Sequence, residues 1–94
     1  MTHCIIVKWK PELDKSSLLA QVTELYRKAE EMPIVSQVRI VPNVIARDNR
    51  YDLCIALDMV AADLPMWDQS ELHHEWKDTF SAMIDKKAIF DFEL

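Results

Sequence analysis

Apolar residues recur along this chain with two different periods, and the switches between them outline the elements. From residue 3 to residue 10, His3, Ile5, Val7 and Trp9 alternate with Cys4, Ile6, Lys8 and Lys10, the period of a strand. Pro11 ends it. Leu18, Val22, Leu25, Ala29 and Met32 then return at helical spacing, with Leu19 and Tyr26 widening the stripe. Asp14 or Ser16 is placed to cap this helix, which is expected to run to about Glu31. Pro33 stops it, because the residue before a proline avoids helical angles. Residues 35–44 form a second β-rich run, closed by Pro42-Asn43, and 47–50 read as a polar connection. In 51–60, Tyr51, Leu53, Ile55, Leu57 and Met59 share one strand face, and Asp52, Cys54, Ala56 and Asp58 the other. Asp63 is expected to cap a short helix through Trp67, with Pro65 in its first turn. Leu72, Trp76, Phe80, Met83 and Ile84 stripe a further helix to about Asp85. A last strand over 87–93 sets Ala88, Phe90 and Phe92 against Ile89 and Asp91.

Strand, helix, strand, strand, helix, strand, joined by right-handed crossovers, predicts an α+β, ferredoxin-like protomer. It has a four-stranded antiparallel sheet with both helices on one face. The helical stripes consume that face. The other shows Cys4, Ile6, Cys54 and Ala56, and an apolar face of this kind seldom stays in water. A second copy of the chain is the economical cover, so a homodimer is expected.

Ninety-four residues make one domain, 1–94, with no room for a second core. Eleven Lys and Arg against sixteen Asp and Glu give a net charge of −5, which argues against a nucleic-acid partner. No apolar segment approaches a membrane span. Two cysteines in apolar strands, without metal-ligand spacing, suit a reducing cytosol. Glycine is absent, so turn residues needing positive φ would have to be Asn or Asp.

The candidate chemistry lies at His73-His74. Adjacent helical residues diverge by about 100°, so His73 falls within the apolar stripe and His74 beside Lys77, Asp78 and Ser81. That divergence also disfavours a shared ion, and no metal or other cofactor is expected. Histidine titrates near neutrality and can take a proton from an activated carbon. A half-buried structural histidine would present the same pattern. Trp67, Trp76 and Phe80 could stack a planar ligand, although helix-on-sheet packing uses the same residues.

His3-Cys4-Ile5-Ile6-Val7-Lys8-Trp9-Lys10-Pro11, Met32-Pro33, Tyr51-Asp52-Leu53, the His73 helix and Ile89-Phe90-Asp91-Phe92 together resemble the stress-responsive dimeric A/B barrel (Dabb) family. The resemblance spans nearly the whole chain and lies in the order and spacing of short motifs. It implies protomers whose open sheet faces join about a two-fold axis into a dimeric α/β barrel. The family's plant olivetolic acid cyclase-like members close a linear polyketide without a cofactor, using a helix histidine as base. On that resemblance the base falls on His73, a first-strand histidine on His3 and a pocket tyrosine on Trp67. The pocket walls fall on Val22, Leu25, Ile55, Phe80 and Ile84. Two positions depart from the family pattern. Ser70-Glu71-Leu72-His73 stands where His-Pro-x-His is frequent, and Trp67 offers an indole, which donates one hydrogen bond and accepts none.

Two function classes follow. One is a cofactor-independent cyclase or lyase acting through a histidine base on a carbonyl or polyketide-like substrate. The other is a non-catalytic dimer that binds a small apolar or aromatic ligand or is purely structural.

Overall fold

The computed structural model describes residues 1–94. Strand β1 (Thr2–Trp9) is followed by helix α1 (Lys15–Tyr26), strands β2 (Gln37–Pro42) and β3 (Leu53–Asp58), a short helix α2 (Leu64–Asp68), helix α3 (Glu71–Phe80) and strand β4 (Ile84–Phe92). The strands form one antiparallel sheet in the order β2-β3-β1-β4. This is the expected ferredoxin-like arrangement. No helix is long and apolar enough to cross a membrane.

The face assignments hold. Ile5, Val7 and Trp9 of β1 and Leu53, Ile55 and Leu57 of β3 are buried against Leu18, Val22 and Tyr26 of α1 and Leu72, Trp76 and Phe80 of α3. Trp9, Trp76 and Phe80 form one aromatic cluster, with ring centroids 5.0–6.3 Å apart. Asp14 caps α1, its carboxylate accepting the N–H groups of Ser16 and Ser17.

Several boundaries differ from expectation. The α-helical part of α1 stops at Tyr26, and a 3-10 turn carries the chain from Arg27 to Glu31. Asp63 makes no side-chain cap, and a separate 3-10 turn spans Ala61–Asp63. The His73 helix ends at Phe80 instead of reaching Asp85, because β4 begins at Ile84 and the backbone N–H of Lys10 bonds to Met83 O at 3.0 Å. Sheet pairing therefore wins over the helical period there. The pairing of β1 with β4 shifts between Lys8↔Lys86 and Trp9↔Ile84, so Asp85 is an extra residue. Without that bulge Ile84 would share the side of Lys86, Ala88 and Phe90. With it, Ile84 turns inward beside Trp9 and packs on the core.

On the opposite face the register sets Cys4 between Ala56 and Phe90, and Ala56 between Cys4 and Arg39. The small central side chains are shielded by larger flanking ones, so Cys4 and Ala56 are already buried. The exposed apolar surface lies at the flanks instead, where Phe90 is 60% and Val41 50% exposed.

Candidate functional site

The Ser70 cap and the Trp67 ring place His73. Ser70, itself in extended backbone, caps α3, its hydroxyl donating to Trp67 O at 2.7 Å and accepting His73 N–H at 3.2 Å. This cap fixes the Trp67 segment against the first turn of α3. His74 turns outward, and its Nδ1 donates to the Ser70 carbonyl at 2.8 Å. His73 turns inward and lies half-buried, its ring centroid 5.7 Å from that of Trp67.

Below this pair, His3 is buried on β1, and its Nδ1 pairs with the Asp91 carboxylate on β4. His3 and Asp91 face each other in the strand register. Trp67 has no exposed surface, and its ring lies 6.1 Å from that of Tyr26 on α1. Three buried polar atoms in this region have no hydrogen-bond partner: Tyr26 Oη, Trp67 Nε1 and His73 Nδ1. A buried donor or acceptor left unpaired costs about 1–3 kcal/mol, so such groups call for a water or a ligand.

Of the residues assigned to pocket walls, Val22 and Ile55 have no exposed surface and Phe80 is almost fully covered. Leu25 and Ile84 pack against the same core from its edge. The walls thus touch one another in a closed core. Five of the seven cavities that indent the surface measure about 160–750 Å³, and none of those five is lined by His73, His3 or Trp67.

Two residues of this region escaped the sequence reading. Helical spacing assigns Tyr26 only to the stripe of α1, and nothing local announces an unpaired phenol. Asp91 was placed on one side of the last strand by alternation, but its pairing with His3 depends on register across 88 residues of sequence.

The electrostatics favour a neutral imidazole at His73. Burial lowers its pKa below the ordinary value, Lys77 and Lys87 add to the effect, and Asp68 opposes it. NMR titration of His73 should therefore give a midpoint below about 6.5. The unfolded chain binds the proton first as pH falls. Folding stability should then decline from pH ~6.5 down to the lowered midpoint and be regained nowhere below it. A His73 midpoint at or above the ordinary value would refute the inward placement. Burial also raises the Tyr26 phenol well above its usual pKa, so it stays a neutral donor. On the far face, burial and then the Cys4 thiol push Cys54 up to about 11, leaving an uncharged, weakly nucleophilic thiol. No group of three His, Cys, Asp or Glu side chains is arranged to hold a metal ion.

No protein-family model matches the sequence, and no curated protein matches it. Solved structures do. A dimeric ferredoxin-like protein of unknown function from Thermobifida fusca superposes with a TM-score of 0.82 at 14% identity, over 99% of this chain and 89% of the other. A hydroxynitrile lyase from Passiflora edulis gives 0.79 at 13% identity, over 99% and 91%. A Dabb family protein from Mesorhizobium loti gives 0.74 at 9% identity, over 99% and 94%. The fold implied by the Dabb resemblance is therefore the fold found: the chain has the ferredoxin-like α+β fold that these proteins share.

Proposed function

We propose that the protein is a Dabb-type homodimer and a cofactor-independent lyase or cyclase, with His73 as general base on a small carbonyl compound or its adduct. The observation that supports this best is the pairing of an unpartnered, charge-disfavouring imidazole at His73 with the unpartnered indole N–H of Trp67 beside it. A neutral imidazole accepts a proton from a hydroxyl or an activated carbon. The electron pair left behind moves towards a carbonyl oxygen or expels a leaving group. An indole N–H at hydrogen-bond distance stabilises developing oxygen charge. His3, held by Asp91, supplies a second imidazole near His73. Two free thiols fit a cytosolic location.

A different observation favours the non-catalytic dimer. Val22, Ile55 and Trp67 have no exposed surface, so a ligand has to part a closed core to reach the indole N–H of Trp67 beside half-buried His73.

Replacing His73 with alanine separates the two readings. Wild-type protein is offered a hydroxynitrile and a linear polyketide analogue, and release of cyanide or ring closure is followed. The enzyme reading expects turnover that falls by about 10²- to 10⁴-fold in His73→Ala. The melting temperature should barely move, because the imidazole makes no hydrogen bond of its own. Full activity in the variant would remove His73 as the base, and a wild type inert towards both compounds leaves the non-catalytic dimer.

A further inference from the structure

Far from His73, positive charge gathers round one cavity. A depression of about 630 Å³ opens between the start of α1, the end of β1 and the connection from β2 to β3. Four of the protein's eleven lysines and arginines line it: Lys8, Lys15, Arg47 and Arg50. Against three aspartates they leave the cavity at +1, on a chain whose net charge is −5. Anions approaching the rest of this surface meet like charge, so the cavity is where they are least repelled.

Its charges are unequally committed. Asp52 accepts Lys15 Nζ at 2.9 Å with one carboxylate oxygen and the Trp9 N–H at 2.8 Å with the other. Lys8 donates to the Asp48 carbonyl, and Arg50 to Asn49 Oδ1 at 2.7 Å. The Arg47 guanidinium has no side-chain hydrogen bond and no ion pair, and the residue is exposed at the rim. The accessible apolar part of the lining is Leu19 and Ile45, since Trp9 and Leu53 are buried in the core.

We propose that this cavity binds a small apolar carboxylate, with its carboxylate on Arg47 and its hydrocarbon body against Leu19 and Ile45. A guanidinium fork matches a carboxylate with two parallel N–H···O bonds. One uncommitted cation and a net charge of +1 suit a monoanion, and the apolar lining suits the body such an anion carries. The proposal does not involve His73 and stands apart from any chemistry there.

The test is NMR titration of the intact protein with benzoate, neutral benzamide and inorganic phosphate as probes. Benzoate should shift the amide signals of Arg47, Leu19 and Ile45 together, and benzamide should bind at least about tenfold more weakly. Arg47→Glu lies on an exposed loop and should weaken benzoate by about tenfold or more while leaving the rest of the spectrum unchanged. Binding should also weaken as salt is raised. Equal affinity for benzamide, unchanged affinity in Arg47→Glu, or no shift with benzoate would each overturn the proposal. Phosphate that shifts Arg47 as strongly as benzoate, without Leu19 and Ile45, would overturn the carboxylate class.

Discussion

Ile6→Glu should convert the protein from dimer to monomer or aggregate, read by sedimentation or by light scattering after gel filtration. Ile6 sits on the sheet face away from both helices, opposite Cys54 on β3 and Ala88 on β4. Phe90 and Val41 expose large apolar surface on the same face, and the Phe90 and Phe92 rings lie 6.2 Å apart. Nothing within the chain covers this face. A second copy would, and permanent interfaces of that kind bury on the order of 2,000 Å² or more. A carboxylate at its centre would have to be stripped of water with no cation opposite, and burying an unpaired charge costs several kcal/mol. Ala20→Glu, on the exposed side of α1, is the control and should remain dimeric. A wild-type protein that sediments as a monomer at micromolar concentration would falsify the dimer outright.

Trp67→Ala should be among the most damaging single substitutions, lowering stability by about 3–5 kcal/mol. The ring is fully enclosed, lies 6.1 Å from Tyr26 and 5.7 Å from His73, and belongs to the cluster that joins the helices to the sheet. For a domain of this length each kcal/mol moves the melting temperature by roughly 4–8 °C, so thermal unfolding followed by circular dichroism measures the loss easily. Trp67→Phe keeps an aromatic ring and removes an N–H that has no partner, so it should cost only about 1–2 kcal/mol. The two substitutions together separate packing from hydrogen bonding. If Trp67→Phe proves as costly as Trp67→Ala, the indole N–H holds a water or ligand essential to the fold. If Trp67→Ala costs less than about 1 kcal/mol, the ring is not the core anchor its burial implies.

Much of this architecture is readable from period alone. The alternation of His3, Ile5, Val7 and Trp9 against Cys4, Ile6, Lys8 and Lys10 names the buried face of β1, because a strand repeats every two residues whatever it pairs with. The stripe through Leu72, Trp76 and Phe80 sends His73 inward and His74 outward for the same kind of local reason. Asp14 as the cap of α1 is local too. Period does not carry register. The pairing of His3 with Asp91, the bulge at Asp85 and the inward turn of Ile84 depend on how β4 docks on β1, a contact between the two ends of the chain. Helical spacing extended the last helix to Asp85 because Met83 and Ile84 fit its stripe. The ladder beginning at Ile84 takes that residue into the sheet, and Met83 closes a 3-10 turn with its carbonyl accepting the Lys10 N–H, so the apolar surface of both still packs on the core. The unpaired polar atoms of Tyr26, Trp67 and His73 lie furthest from what sequence can show. An orphaned donor is a property of what surrounds a side chain in three dimensions, and only the packed tertiary structure decides it.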